Sequence, residues 1–569
     1  MTGDLKVPVY RTRRMVVAGL LGLAFLSLLA RAVDLQVFNQ GFLQEQADAR
    51  HLRVVSIAAH RGMILDRRGQ PLAVSTPVDS VWANPQALAP AREYLPALST
   101  LLDMDVDQLQ RTLAERSDRE FVYLKRHISP ELAERVKAVG APGVFLDREY
   151  RRYYPDGEVA AHIVGFTDID DVGQEGTELA YDEWMRGEPG AKRVIKDGRH
   201  HVVADVESIR PPRPGKQLTL SIDRRLQYLA YRELKTAVVQ HKARSGSVVM
   251  LDVQTGEVLA MVNQPSYNPN NRRGLRSGAI RNRAVTDVIE PGSTIKPFTV
   301  ASALESGHYG PHSPIETAPG YFRVGRKTIR DVHDYGALDV TGVIRKSSNV
   351  GAAKIALSLP KEAFWSLLNR VGFGSLTASG FPGEVSGLLL NPGRWHRIEQ
   401  ATLAFGYGLS VTALQLAQAY ATLAADGVHH PASFLKLDEV PRGERILSAS
   451  VARQVRAMLE EATGPDGTGG RARVSGYRVA GKTGTVHKSI AGGYAEDRYL
   501  SLFSGMAPAS RPRLVLVVVI NEPSNGDHYG GEVAAPVFSR VMAGALRLLD
   551  IAPDDLQRSV QRAVVENPA

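Results

Sequence analysis

The spacing of apolar residues changes along this chain, and each change predicts a different kind of element. Residues 15–30 (MVVAGLLGLAFLSLLA) are uncharged throughout and follow Arg11, Arg13 and Arg14. The run is slightly short of the ~20 residues a bilayer core requires. Ala32, Val33 and Leu35 lengthen it, while Arg31 and Asp34 can reach the interface. Leu28-Leu29-Ala30-Arg31 makes a poor signal-peptidase site, so the expectation is one uncleaved span over residues 15–34. The basic flank predicts that residues 1–14 stay cytoplasmic. The chain from about residue 35 onward would then lie across the membrane, in the periplasm or on the outer face of a bacterium.

From 35 to about 210 the pattern is mixed and charged. Residues 53–58 (RVVSIA) read as a strand and 107–115 (DQLQRTLAE) as a helix, with turn residues dense at 66–69 and 154–157. The Pro-rich basic stretch 210–216 (RPPRPGK) predicts a domain boundary, giving domains over 35–212 and 213–553 and a solvated tail over 554–569. Beyond the break the texture changes. Residues 218–222 suggest a strand, 224–240 a helix, and 247–252 with 257–262 a hairpin around Thr255 and Gly256. A long helical region is expected after Ser293, and another apolar helix over 413–423. Strand-like runs return at 477–480, 500–506 and 514–520 (LVLVVVI), and 533–549 reads as a closing helix. Strands at both ends with helices between predict one α+β domain whose sheet is closed by its terminal segments.

Composition narrows the chemistry. With 569 residues, 44% hydrophobic and 23% charged, the chain is ordinary globular material for more than one domain, not a disordered or multi-span protein. It has no cysteine, which removes disulfides, thiolate catalysis and cysteine-ligated metal sites together. The +9 net charge is consistent with nucleic acid, anionic lipid or an acidic polymer, and decides nothing alone. Arginines scattered without a clustered aromatic surface argue against nucleic acid. Gly406-x-Gly408 lacks the third glycine of a dinucleotide loop, and His200-His201 and His429-His430 lack a metal-ligand spacing, so neither cofactor nor metal is expected.

Without cysteine, a nucleophile is sought among serines with a base nearby. Ser-x-x-Lys places both side chains on one helix face, within reach of each other. Three such pairs occur. Pro360 disrupts the helix that Ser358 and Lys361 would need, and Ser433 with Lys436 lies in strand-like text. Ser293 and Lys296 follow the turn residues Pro291 and Gly292, and Pro297 fits only a first helical turn. A serine there meets free N–H groups and the positive end of the helix dipole. Downstream, Ser347-Ser348-Asn349 falls in a polar break before a small-residue helix, and Lys482-Thr483-Gly484 lies in a strand-like run. Gly484 leaves no side chain, so a substrate backbone could lie alongside that strand. Each element is common alone; the ordered triple is specific.

Ser293-x-x-Lys296, Ser347-x-Asn349 and Lys482-Thr483-Gly484 resemble the three motifs of penicillin-binding proteins and serine β-lactamases. The segments 61–69 (RGMILDRRG), Gly165, 173–181, 405–412 and 528–531 resemble class B penicillin-binding proteins, and size, pedestal and residues 268–273 (NPNNRR) look most like the division-specific branch. The resemblance implies an N-terminal anchor, an elongated pedestal of dimerisation type, and a transpeptidase domain with an antiparallel sheet flanked by helices. It implies acyl transfer from peptidoglycan stem peptides on lipid-linked or nascent glycan, with β-lactams taking the same serine. Ser293 would be the nucleophile and Lys296 its base, with Ser347 relaying a proton and Asn349 orienting Lys296. Lys482, Thr483, Gly484, Thr485 and Tyr407 would bind substrate, and the N–H groups of Ser293 and Thr485 would form the oxyanion hole. Membrane, a polytopic glycan polymerase and divisome proteins are the partners implied. A class A β-lactamase is disfavoured, since no Glu-x-x-x-Asn lies between Ser347 and Lys482. An elongation-type transpeptidase and a D,D-carboxypeptidase stay open.

Overall fold

A computed structural model describes residues 11–40, 52–196, 202–490 and 492–555. Residues 1–10, the histidines at 200 and 201, and most of the expected C-terminal tail lie outside the described residues. The chain divides into two compact units whose segments alternate in sequence. One gathers the residues up to His60 with Pro77–Tyr150 and Glu188–Arg213; the other gathers Arg61–Thr76, Arg151–Gly187 and everything from Pro214. The Pro-rich break is the last of these crossings.

In the first unit the apolar N-terminal run is helical over Arg11–Val33 and continues as a π-turn over Asp34–Phe38. The 28-residue helix is long and apolar enough to cross a membrane, and none of its residues is buried. Its large side chains are exposed, as an anchor's would be to lipid. Leu52–Ile57, Gly190–Lys196 and Val202–Arg210 form a three-stranded antiparallel sheet. A separate core packs Leu95, Leu98, Leu109, Leu113, Leu124 and Val136. The helix expected at 107–115 is present as Val106–Glu115, capped by Asp105 accepting from Gln108 N.

The second unit is built on a five-stranded antiparallel sheet. Its strands are β1 (Ser245–Asp252), β2 (Val258–Gln264), β3 (Ala480–Ile490), β4 (Gly493–Ala507) and β5 (Leu514–Asn521), in the order β2-β1-β5-β4-β3. The unbroken apolar run of β5 has the character of a strand buried on both faces. Leu516, Val518 and Ile520 pack with Leu226 and Leu234 of α1 (Arg224–Gln240). Val515, Val517 and Val519 belong to the opposite core, with Phe298 of α2 (Lys296–Glu305) and Leu416 of α5 (Ala413–Ala424). Between these helices lie α3 (Val340–Lys346) and α4 (Asn349–Ser358). The C-terminal α6 (Ala535–Leu548) covers the α1 side through Phe538 and Val541.

Three sequence expectations need adjusting, the first being the strand at 477–480, of which only Ala480 is strand, at the start of β3. The helical region after Ser293 ends at Glu305 and gives way to short strand pairs before α3, with Gly307 in the left-handed region soon after the helix ends. The strand expected at 218–222 narrows to Leu218–Thr219, parallel to Ile64–Leu65. Also within this unit, Arg61 is buried with Glu178 and Arg152. Arg61 Nε donates to Glu178 Oε2 (2.8 Å) and its Nη1 to Asp182 Oδ1 (2.7 Å); Arg152 Nε donates to Glu178 Oε1 (2.6 Å). Arg61, Arg152, Glu178 and Asp182 thus form one ion network with a buried centre.

Candidate active site

Ser293 sits in a 3₁₀ turn, Gly292–Ile295, that feeds directly into α2. Pro297 falls within the first turn of that helix, where its missing N–H costs nothing. Strand β3 runs beside the turn, and glycine makes the approach possible from both sides. Gly292 has φ +54°, and a Cβ there would stand 2.4 Å from Val486 Cγ2. A Cβ on Gly484 would stand 3.1 Å from both the Pro291 carbonyl and Thr294 Cγ2. Gly484 therefore owes its lack of a side chain first to the serine turn packed beneath it.

Lys296 is fully buried at the start of α2. Its Nζ donates to the Ser347 carbonyl and to Asn349 Oδ1 (2.8 Å), and lies 3.2 Å from Ser347 Oγ. The amine thus bonds across to the second motif and not to Ser293, which one-face reasoning pairs with it. Burial, and after it the Lys482 ammonium, pull Lys296 well below the ordinary lysine range, against an opposing pull from Asp331. In its neutral form the amine would keep two N–H groups for the two carbonyl-type oxygens and a lone pair for a hydroxyl proton.

Ser347 ends α3 in the left-handed region (φ +62°), turning the chain so that Ser348 can cap α4 by accepting from Gly351 N (2.8 Å). Asp331 holds this corner. Its carboxylate accepts from Ser348 Oγ, from Asn349 N and from Val350 N. Asp331 was not singled out by sequence reasoning. It stands 18 residues from Asn349, and no local pattern marks an aspartate as the cap of a distant helix.

Lys482, in β3, is also fully buried, and burial lowers it to about 7. Ser293, Ser347, Asn349, Thr483 and Thr485 line one cleft of about 790 Å³. His333, Tyr335, His487, Tyr499, His528 and Tyr529 wall it with rings, and Lys346 and Arg471 add positive charge. The ring of Tyr499 stacks on His528 at 4.1 Å and tilts against His487 at 4.6 Å. Thr485 Oγ1 accepts from Gly530 N (2.9 Å), so its proton is free for the cleft. Tyr407 sits apart, edge-on to Phe405 and Tyr494. Tyr494 Oη and Gly408 N both bond to Glu290 Oε1, tying Tyr494 and the 405–412 turn to the segment that leads into Ser293. The cleft brings together a hydroxyl at a helix start, a buried amine held well below the ordinary lysine range, and a second buried amine among hydroxyls. That set suits acyl transfer on a substrate bearing a carboxylate. Among the described residues no cluster of three or more His, Asp or Glu is arranged for a metal.

Two family profiles match the chain. The Penicillin binding protein transpeptidase domain matches residues 246–543, and the Penicillin-binding Protein dimerisation domain matches residues 56–220. Peptidoglycan D,D-transpeptidase FtsI of Escherichia coli K12 is 46% identical over 553 residues, covering 96% of this chain and 93% of that protein. Probable peptidoglycan D,D-transpeptidase PenA of Neisseria meningitidis serogroup A is 43% identical over 549 residues, with 96% and 94% covered. Among solved structures, the apo transpeptidase domain of Burkholderia pseudomallei penicillin-binding protein 3 aligns with TM-score 0.55 and 44% identity, covering 59% of this chain and 97% of that one.

Proposed function

The chain belongs to the penicillin-binding protein transpeptidases, and from that membership we propose that Ser293 cross-links peptidoglycan stem peptides in septal wall synthesis. It is a peptidoglycan D,D-transpeptidase and binds β-lactams. Ser293 Oγ attacks the penultimate D-alanine carbonyl while Lys296 Nζ takes the hydroxyl proton. The peptide bond breaks, the terminal D-alanine leaves with a proton passed through Ser347, and an ester remains on Ser293. A stem amine then attacks that ester, forming the cross-link, and Ser293 Oγ recovers its proton. Asn349 holds the Lys296 amine. Lys482, Thr483 and Thr485 take the terminal carboxylate, and the N–H groups of Ser293 and Thr485 face the oxyanion, each worth ~3–4 kcal/mol in comparable enzymes. Gly484 and Tyr407 act less directly, the glycine by letting β3 close on the serine turn and the tyrosine by packing the 405–412 segment. β-Lactams acylate the same Ser293.

Among the described residues, one apolar helix near the N-terminus fits a single-pass membrane anchor. We place residues 1–14 in the cytoplasm, the span at 15–34 in the bacterial inner membrane, and a pedestal (35–212) and transpeptidase domain (213–553) in the periplasm. Arg11, Arg13 and Arg14 support that orientation. A polytopic glycan polymerase and divisome proteins are the partners we propose, from the likeness to peptidoglycan D,D-transpeptidase FtsI.

The observation that carries the catalytic reading is the pair of fully buried lysines, both lowered, flanking one serine-lined cleft. Labelled penicillin should acylate the detergent-solubilised full chain, and Ser293→Ala should abolish labelling; undiminished labelling of that variant refutes the assignment. Filamentation on depletion supports a septal role, whereas rounded cells would assign the chain to elongation.

A further inference from the structure

Lys482 Nζ has three neutral acceptors within reach. They are Thr483 O and Thr483 Oγ1, both at 3.3 Å, and Thr468 Oγ1 at 3.4 Å. The two hydroxyl oxygens are themselves 2.7 Å apart. Thr468 belongs to a glycine-rich turn outside the three motifs, yet it lines the same cleft as Ser293 and Thr483. The turn is fastened in place. Gly469 N donates to Ala462 O (2.9 Å), Thr463 Oγ1 donates to Val479 O (2.6 Å), and a Cβ on Gly531 would stand 2.5 Å from the Thr468 carbonyl.

A hydroxyl carries one proton. In a 2.7 Å pair one hydroxyl donates and the other accepts, and the acceptor's own proton is released for a different partner. Lys482, while protonated, only donates, so it cannot take that proton. If Thr468 donates to Thr483, the Thr483 proton turns to the cleft. Thr485 already offers a proton there, because its oxygen is occupied by Gly530 N. An arriving carboxylate accepts only, and it finds two outward donors with a buried lysine behind them. If the pair ran the other way, Thr483 would present lone pairs to the carboxylate and repel it.

We propose that Thr468 is a positioning residue for the substrate carboxylate, fixing the Thr483 hydroxyl as a donor into the cleft. The proposal rests on the reading of this cleft as the site where Ser293 is acylated. It gives Thr468 a role in selecting substrates that end in a carboxylate, whether a stem peptide or a β-lactam.

The test compares benzylpenicillin with its methyl ester as acylating agents of the detergent-solubilised full chain. Valine keeps the shape and branching of threonine and loses only the hydroxyl. Thr468→Val should slow acylation by benzylpenicillin ~10-fold, the lower end for a hydrogen bond to a charged group. Acylation by the ester should change less than ~2-fold on the same reasoning, so the preference for the acid shrinks. Thr468→Ser, which restores the hydroxyl, should restore the preference. An equal loss with both probes would mean a general packing role, and an unchanged rate with benzylpenicillin would mean no role; either overturns the proposal. Labelling of Ser293→Ala by benzylpenicillin would instead overturn the parent reading, so the two failures are distinguishable.

Discussion

Replacing Gly292 by alanine tests whether the closeness of the serine turn to β3 is what the chemistry depends on. Gly292 has φ +54°, a conformation that costs an L side chain ~1–2 kcal/mol. The new Cβ would stand 2.4 Å from Val486 Cγ2, whereas relaxed carbon–carbon contact needs ~3.5–4.0 Å. Either the turn or the strand must retreat by more than ~1 Å, an overpacking strain worth ~1–3 kcal/mol. Together the two terms predict a loss of ~2–5 kcal/mol of stability in this unit. The catalytic effect should be larger than the stability effect suggests. Val486 follows Thr485, whose N–H faces the oxyanion in the proposed mechanism, and a ~1 Å misplacement can cost ~10²-fold in rate. Melting temperature and the rate of acylation by labelled penicillin are the two readouts, taken on Gly292→Ala, Val486→Ala and the double variant. Val486→Ala removes both γ-carbons and makes room for the new Cβ. The double variant should therefore acylate nearly as fast as Val486→Ala alone, while keeping the backbone penalty in its melting temperature. Wild-type acylation and melting by Gly292→Ala would refute the reasoning outright. A double variant no faster than Gly292→Ala would show that contact with Val486 is not the cause.

Three further outcomes concern the buried charges. Lys296→Ala should fold, because it removes an amine whose charged form burial disfavours, yet acylate ~10²–10⁴-fold more slowly; near-normal acylation would remove its role as base. Lys482 binds its proton with a pKa of about 7 when folded and ~10.4 when unfolded, so the folded state is penalised fully below about pH 7 and progressively less as pH rises. Lys482→Met should accordingly melt at a higher temperature than the parent at pH 7, lose the gain in stability between pH 7 and ~10, and fail to acylate; a lower melting temperature at pH 7 contradicts this. Arg61→Met leaves Glu178 short of one of its two arginines and Asp182 short of its buried one, and should cost ~3–5 kcal/mol by thermal or denaturant unfolding. A change within ~1 kcal/mol would mean that the network's desolvation cost cancels its attraction.

The catalytic triple was legible because each motif is short and its residue types are forced by local chemistry. Ser293 could be preferred over Ser358 from the proline positions and over Ser433 from the strand-like text around it, and LVLVVVI could be read as a strand without knowing its neighbours. The relations between segments were not legible. Asp331 caps a helix 18 residues further along, and Thr468 meets Lys482 only because a turn of glycines folds back on the sheet. The hydrogen bonds of Lys296 also depart from helical periodicity. The serine turn is 3₁₀, which still leaves residues i and i+3 on one side, but the Lys296 amine is taken up by Ser347 and Asn349 of a distant segment. The alternation of the two units at Arg61, Pro77, Arg151 and Glu188 carries no change of composition comparable to the Pro-rich break. These features depend on long-range pairing, which a periodicity window does not sample.

The strand order of the central sheet also governs when it can form. β5 is the last strand of the five in sequence, yet it lies in the middle, paired on one side with β1 and on the other with β4. A chain emerging N-terminus first has β1 and β2 in hand more than two hundred residues before β5 arrives. Until Asn521 is delivered, the apolar edge of β1 and the two cores above and below it stay open, the condition in which sheets mispair and aggregate. Long-range closure of this kind is slow. The serine, the two lysines and their hydroxyls therefore meet late, and a chain truncated before residue 514 would carry all three motifs with β1–β2 and β3–β4 left unjoined.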